Sequence, residues 1–193
     1  MSISSSHTKK EQPLVSIVIP CYNHANFVQE AIKSVISQDY QNIELIIIDD
    51  GSRDSSVEKI QQMLTDCRKR FTRFEFRHRS NQGLSSTLNE ALEWCTGEFF
   101  APVASDDLIK SSKITLQVNH LMDNPDCIGV FGAVELLKEN GSKETIIGKK
   151  ATYSFNDILL HNHNLPAPTQ LLRLKNIRDI GCFKKELIIE YWS

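Results

Sequence analysis

The chain starts polar and turns apolar at Leu14. Leu14-Val15-Ser16-Ile17-Val18-Ile19 is a β-branched run closed by Pro20. It predicts a buried strand, because a strand covered on both faces reads as nearly continuous hydrophobics and proline cannot continue a ladder. Phe27, Val28, Ala31, Ile32, Val35 and Ile36 then recur at helical spacing. A second apolar run, Ile43 to Ile48, is punctuated by Asp49-Asp50-Gly51-Ser52. Ser55-x-x-Glu58 has the form of a capping box, and Val57, Ile60, Leu64 and Cys67 behind it predict one helical face. Phe74-Glu75-Phe76 predicts a short strand. Leu84, Leu88, Ala91, Leu92 and Cys95 predict a third helix, stopped by Gly97.

Phe99 to Val103 predicts the fourth strand, followed at once by Ser105-Asp106-Asp107. A fourth helix carries Ile114, Val118, Leu121 and Met122 and ends at Asn124-Pro125. Ile128 to Leu137 predicts a long strand, Asn140-Gly141 a hairpin turn, and Glu144 to Ile147 the return strand. Asn140-Gly141-Ser142 also has the form of a glycosylation sequon, for which the turn is the simpler account. Strands and helices thus alternate four times before a hairpin. That order predicts an α/β fold with a mostly parallel sheet covered by helices. Ligands of such sheets bind at the carboxyl ends of the strands.

Composition narrows the function. With 22 basic and 24 acidic residues among 193, the net charge is −2, which argues against nucleic acid as a partner. The basic stretch Arg68 to Arg79 is broken by aromatics and reads as a solvated helix end and strand start. No apolar run approaches the ~20 residues that span a bilayer. Met1 to Gln12 lacks the apolar centre of a signal peptide and reads as a disordered tail. The five cysteines are an odd number without a CxxC pair, which suits reduced thiols in a cytoplasm-like compartment.

Three polar clusters follow predicted strands: Pro20-Cys21-Tyr22-Asn23, Asp49-Asp50-Gly51-Ser52 and Ser105-Asp106-Asp107. The sheet topology brings all three to one edge. Each alone has a plain structural account, as packing, a turn or a helix cap. Together they offer an aromatic face and several carboxylates. An aromatic ring can stack on a base, and a carboxylate can accept from a base N–H or a ribose hydroxyl. Hard carboxylate oxygens also bind Mg²⁺ or Mn²⁺, which neutralise a diphosphate. A nicotinamide dehydrogenase fits poorly, since no GxGxxG follows the first strand.

Val15-Ser-Ile-Val-Ile-Pro-Cys-Tyr-Asn23, Ala31-Ile-Lys-Ser-Val-Ile-Ser-Gln38 and Glu44-Leu-Ile-Ile-Ile-Asp-Asp-Gly-Ser52 resemble the opening of family 2 glycosyltransferases. Asn81-Gln82-Gly83-Leu84-Ser85 and Thr96-Gly97-Glu98-Phe99 continue the match, which runs from about residue 14 to the last residue. The resemblance implies a GT-A (Rossmann-like) fold, a three-layer α/β/α sandwich with a mostly parallel central sheet. Residues 13–193 would form a single such domain, cut short at its C-terminal end.

The resemblance also implies roles. Tyr22 would flank or stack on the nucleobase, usually uracil; Asp50 would hydrogen-bond the base, and Asp49 would support that loop. Pro20 belongs to the same strand end. Asp106 would approach the ribose or the metal-bound diphosphate, and Asp107 would be the main ligand of Mn²⁺ or Mg²⁺. The donor would be a nucleoside diphosphate sugar, in particular a UDP-sugar. The acceptor would be a hydroxyl of a glycan or lipid-linked molecule, attacked with inversion. Bacterial surface polysaccharide synthesis is the implied setting, in the cytoplasm with peripheral association at the inner face of a membrane.

The sequence departs from the family at several positions. Ala104 stands where many members have an acidic residue, and Leu88 where many have Arg. Gly181-Cys182-Phe183-Lys184 resembles the family's Gly-Gly-Phe-Asp segment. Glu190-Tyr191-Trp192 then stands where members have Glu-Asp-Trp, whose Asp is the usual base. Tyr191 is a poor base at neutral pH, since a phenol titrates near ~10, while Glu190 lies one residue away. A nucleotide-sugar-binding protein with impaired turnover is therefore the alternative function. His161 and His163, in His161-Asn-His163-Asn-Leu-Pro166, read as an acceptor-side loop or a plain surface loop rather than a metal site.

Overall fold

The computed structural model describes residues 12–137, 142–146 and 150–184. Strand β1 (Val15–Cys21) lies between β2 (Ile43–Asp49) and β4 (Phe99–Pro102), and β3 (Arg73–His78) flanks β2. All four run parallel, in register Ile17↔Leu45, Ile17↔Ala101 and Leu45↔Phe74. The far side is completed by β8 (Leu171–Arg173), antiparallel to β4, and by the two-residue β5 (Gly129–Val130). The sheet therefore has six strands in the order β3-β2-β1-β4-β8-β5.

Helices cover both faces, which is why all seven residues of β2 are buried. On one face α1 (Val28–Ile36), α2 (Ser56–Gln61), α3 (Leu64–Arg70) and α5 (Lys113–Asp123) pack on Ile17, Ile19, Leu45, Ile47 and Phe99. On the other, α4 (Leu84–Trp94) and α7 (Leu174–Asp179) pack on Val18, Ile46, Ile48 and Phe100. Each such fully buried Ile, Leu or Phe contributes about 1.5–3 kcal/mol relative to exposure.

The predicted elements stand, with physical corrections. Pro20 lies inside β1 rather than closing it. Odd positions of β1 bond β2, as Val15 and Cys21 do through Asn42 and Asp50, and even positions face β4. Pro20 faces β4 beyond the last paired residue, Pro102, so its missing N–H leaves no gap in the ladder. Phe27 is exposed rather than part of the buried face of α1.

The capping box at Ser55 does not form. Asp54 takes the role instead, accepting from the Ser56 amide at 2.9 Å and from the Ser56 hydroxyl. The helix behind it is two pieces, broken at Gln62–Met63, with Met63 filling the apolar face. Gly97 does not cap α4, whose C-cap is Cys95. It is glycine because a Cβ there would meet Leu14 O and Ser16 Oγ at 2.7 Å.

The long strand of Ile128 to Leu137 is also two strands. At Gly129 a Cβ would overlap Leu172 of β8, and the Gly132 amide donates to Thr169 Oγ1 at 2.9 Å. The chain then leaves the main sheet and forms β6 (Val134–Leu137), paired antiparallel with β7 (Lys143–Ile146). Asn140, Gly141, the predicted strand end Ile147 and the segment Met1–Glu11 lie outside the described residues. The structure adds β8, α7 and the short helix α6 (Phe155–Leu159), which opens on a capping box between Ser154 and Asp157.

Candidate active site

The carboxyl ends of β1, β2 and β4 converge on a cavity of about 300 Å³. Pro20, Tyr22, Asp50 and Asp106 line it, with His24, Gly83, Thr87 and Leu88. The loops after β1 and β2 are joined by hydrogen bonds. Asn23, in the left-handed region at φ 56°, donates its amide to Ser52 Oγ and accepts from the Arg53 amide, both at 2.8 Å. The Ala25 amide donates to Asp54. Gly51 turns at φ +78°, where a Cβ would sit 2.6 Å from the Asn81 amide nitrogen.

The adjacent carboxylates Asp49 and Asp50 have different surroundings. Asp49 is fully buried beneath the loop and does not line the cavity. It accepts from the Ser52 amide at 2.9 Å and from the Ser52 hydroxyl at 2.6 Å, and faces His78 Nδ1 at 2.9 Å. It holds the turn. Asp50 reaches the other way and accepts from the amides of Gln82 and Gly83 at 2.8 and 2.9 Å, at the N-terminus of α4. Arg79 pairs with it as well. That guanidinium also donates to Glu90 at 2.6 Å and to Thr87 Oγ1 at 2.9 Å. Burial alone would raise the Glu90 carboxyl, but hydrogen bonds and charge from Arg79 and Arg77 hold it below its usual range.

The other end of the cavity is acidic. Asp106 is exposed and its Oδ1 lies 3.7 Å from His24 Nδ1, which is 2.7 Å from Ser105 Oγ. Asp107 is half-buried and, unlike Asp106, does not line the cavity; its amide donates to Ala104 O at 3.1 Å. Burial, and then repulsion from Asp106, raise its pKa above the ordinary carboxylate value, with His24 pulling it back. Among the described residues, no Lys or Arg forms a salt bridge with either carboxylate. No group of three His, Cys, Asp or Glu side chains suited to a metal occurs among the described residues. Two neighbouring carboxylates are nevertheless the protein share that a hard cation takes when diphosphate oxygens and water complete its shell.

The cavity thus gathers Pro20, Tyr22, Asp50 and Asp106, whereas Asp49 and Asp107 do not line it. Tyr22 is 43% exposed, which leaves ring surface free for stacking. Leu88 contributes an apolar wall where a cation is common in the resemblance, and Ala104 a small one. Glu190 and Tyr191 lie outside the described residues. Phe183 is pinned to α4, since Asn89 and Phe183 exchange hydrogen bonds of 2.7 and 2.9 Å. His161 and His163 stack on each other at 6.3 Å. His24 and the Arg79–Glu90–Thr87 group were not expected from sequence. His24 directly follows the Tyr22-Asn23 cluster, so position was its only signal.

The sequence matches the family described as Glycosyl transferase family 2 over residues 16–180. An uncharacterized glycosyltransferase of Rickettsia felis is 34% identical over 199 residues, covering 93% of this chain and 31% of that protein. One from Haemophilus influenzae is 40% identical over 112 residues, covering 58% of this chain and 44% of its own length. Among solved structures, the mannosyltransferase PcManGT of Pyrobaculum calidifontis, in complex with GDP-Man and Mn²⁺, superposes with a TM-score of 0.71 at 17% identity. That likeness covers 92% of this chain and 49% of PcManGT. S. aureus TarS 1–349 in complex with UDP-GlcNAc gives a TM-score of 0.64 at 18% identity, covering 88% of this chain and 48% of TarS 1–349. The chain therefore spans about a third of the R. felis relative and half of these structures. With a mostly parallel sheet of this order and a family match across most of its length, this chain belongs to glycosyl transferase family 2 and has the GT-A fold.

Proposed function

We propose that the chain binds a nucleoside diphosphate sugar, in particular a UDP-sugar, and transfers the sugar with inversion to a hydroxyl of a glycan or lipid-linked acceptor. The observation that carries this reading is the charge asymmetry of the cavity. Asp50 at one end is neutralised by Arg79, whereas Asp106 at the other, and Asp107 next to it in the chain, have among the described residues no cation partner but His24. A nucleobase, with neutral N–H donors, suits the compensated carboxylate. A cation paired with a diphosphate suits the uncompensated ones. That orientation places the base between Tyr22 and Asp50 and the sugar beyond Asp106.

Mn²⁺ or Mg²⁺ held by Asp107 and Asp106 would supply positive charge to the departing diphosphate. The protein's own part is to orient the donor and receive a proton. The acceptor oxygen bonds to the anomeric carbon as the bond from that carbon to the diphosphate oxygen breaks, and the hydroxyl proton passes to a carboxylate base. Glu190 is the carboxylate that the resemblance puts nearest that task. Synthesis of a bacterial surface polysaccharide, on the cytoplasmic side of a membrane, is the setting we assign.

Calorimetric titration of UDP with and without Mn²⁺, on wild type and on Asp107→Ala, tests the site. We expect metal-dependent binding in the wild type, weakened about a hundredfold in the variant. Metal-independent binding of equal strength in both would overturn the role of Asp107. The phenol of Tyr191 favours the second reading, a binding protein with impaired turnover. A gain of transfer in Tyr191→Asp supports it, and robust wild-type transfer with no gain removes it.

A further inference from the structure

Resting on the donor site proposed above, we infer that Glu90 is a positioning residue for nucleobase binding, acting through Arg79 on the carboxylate of Asp50. Glu90 sits on the second turn of α4 and does not line the cavity. It nonetheless sets the geometry there. Its Oε2 receives Arg79 Nε at 2.6 Å and its Oε1 receives Arg77 Nη1 at 2.6 Å. The Arg77 guanidinium lies 4.0 Å above the Trp94 ring, one helical turn further along α4. Glu90 is therefore held from below and holds Arg79 from the side.

The Arg79 guanidinium is a rigid planar fork, so fixing its Nε edge fixes the direction of its other nitrogens. One of these donates to Thr87 Oγ1 at 2.9 Å and the other pairs with Asp50 and donates to Ser80 O at 3.0 Å. An ionised carboxylate has about four acceptor positions. On Asp50, Arg79 and the amides of Gln82 and Gly83 occupy three. The remaining position is available to a ligand N–H, and its direction is set by the groups that hold the other three. Two arginines and two acids also make the group electrically balanced. Loss of the Glu90 charge leaves the group with excess positive charge and frees the Nε edge of Arg79, so the fork is no longer held in one direction against Asp50.

The side chain of Glu90 is partly exposed and lies on the sequence 40 residues from Asp50, so its contribution comes from this relay rather than from direct contact with the ligand. A purely structural role would lower stability and weaken every ligand alike. A positioning role weakens only ligands that carry a base.

The test titrates UDP, GDP and Mn²⁺-pyrophosphate into wild type, Glu90→Gln, Asp50→Asn and the double variant, with thermal unfolding to verify that each is folded. Glu90→Gln keeps the shape and removes the charge. We expect it to weaken the preferred nucleotide about tenfold, to leave Mn²⁺-pyrophosphate unchanged, and to add nothing in the Asp50→Asn background. Unchanged nucleotide affinity in Glu90→Gln, equal weakening of pyrophosphate, or additivity with Asp50→Asn each overturns the inference. Should Glu90→Gln fail to fold, Glu90→Asp, which keeps the charge and withdraws it by one methylene, is read by the same three criteria. A wild type that binds Mn²⁺-pyrophosphate but neither nucleotide overturns the donor-site reading, and this inference with it.

Discussion

Lys113 opens α5 with its amine donating to Gln170 O at 3.2 Å. Burial lowers the pKa of that amine from 10.5 to about 8. A base whose folded-state pKa is depressed makes the unfolded state the better proton binder between those values, so stability rises with pH from about 8 to 10.5. Below that window the cost of the buried charge is fully present. Lys113→Met should therefore stabilise the chain at pH 7 by about 1–2 kcal/mol, net of the lost hydrogen bond. It should also flatten the alkaline rise, as denaturant titrations at pH 7, 9 and 10.5 would measure. At the same scale, Cys21, Cys67 and Cys95 lie in the core, and burial raises their pKa values to about 11, 12 and 12. Their thiols are packing groups. The identities of Asp49 and Asp50 were legible in the sequence; their division of labour was not. It depends on which way each side chain leaves the end of β2 and on what the β3–α4 loop brings to meet it.

At the scale of elements, Glu44 ties the amino-terminal edge of the sheet. Its side chain is fully buried in β2 and accepts from Ser16 of β1 and from the Thr96 and Gly97 amides before β4. Arg73 of β3 completes the set at 2.9 Å. Burial would raise this carboxyl, yet the hydrogen bonds from Ser16, Thr96 and Arg73 outweigh it and hold the pKa below 4.5. A depressed carboxyl contributes stability that is present above its unfolded value and lost as pH falls through the folded one. Glu44→Gln should cost about 3 kcal/mol at pH 7, because Arg73 loses its buried partner and an amide donor faces other donors. The variant should also lose part of the wild type's steepening below pH 4.5, measurable as a shallower acid branch of stability against pH. Strands and helices before residue 124 were legible because their apolar periods run long enough to fix type and face. The failures share a cause. Gly97, Gly129 and Asp54 act through neighbours distant in sequence or through a competing local bond, and such partners leave no periodic trace.

At the scale of the molecule, ligand and fold are coupled. A ligand that binds only the folded chain stabilises it by about 2.7 kcal/mol at a hundred times its Kd. For a chain of this size that should raise Tm by about 5–10 °C. Calorimetric scans with UDP and Mn²⁺ at saturation should show this rise for wild type and a smaller one for Asp107→Ala at the same concentrations. No helix among the described residues is long and apolar enough to cross a membrane. The outer surface carries apolar residues on α6, where Phe155 is 77% exposed and Leu159 63%.

The sequence by itself determined the alternation of strands and helices, the burial of β1 and β2, and the set of acidic clusters at one sheet edge. Those features are written in local period and in residues adjacent along the chain, so they can be read one segment at a time. Only the tertiary structure decided that β8 and β5 complete the sheet, that the long strand breaks at Gly132, and that Asp50 pairs with Arg79 while Asp106 and Asp107 pair with no Lys or Arg among the described residues. These outcomes depend on which distant groups come within hydrogen-bond reach. Arg79 meets both Asp50 and Glu90 because α4 docks beside β2, and the energy of a charge depends on its neighbours in space rather than in sequence.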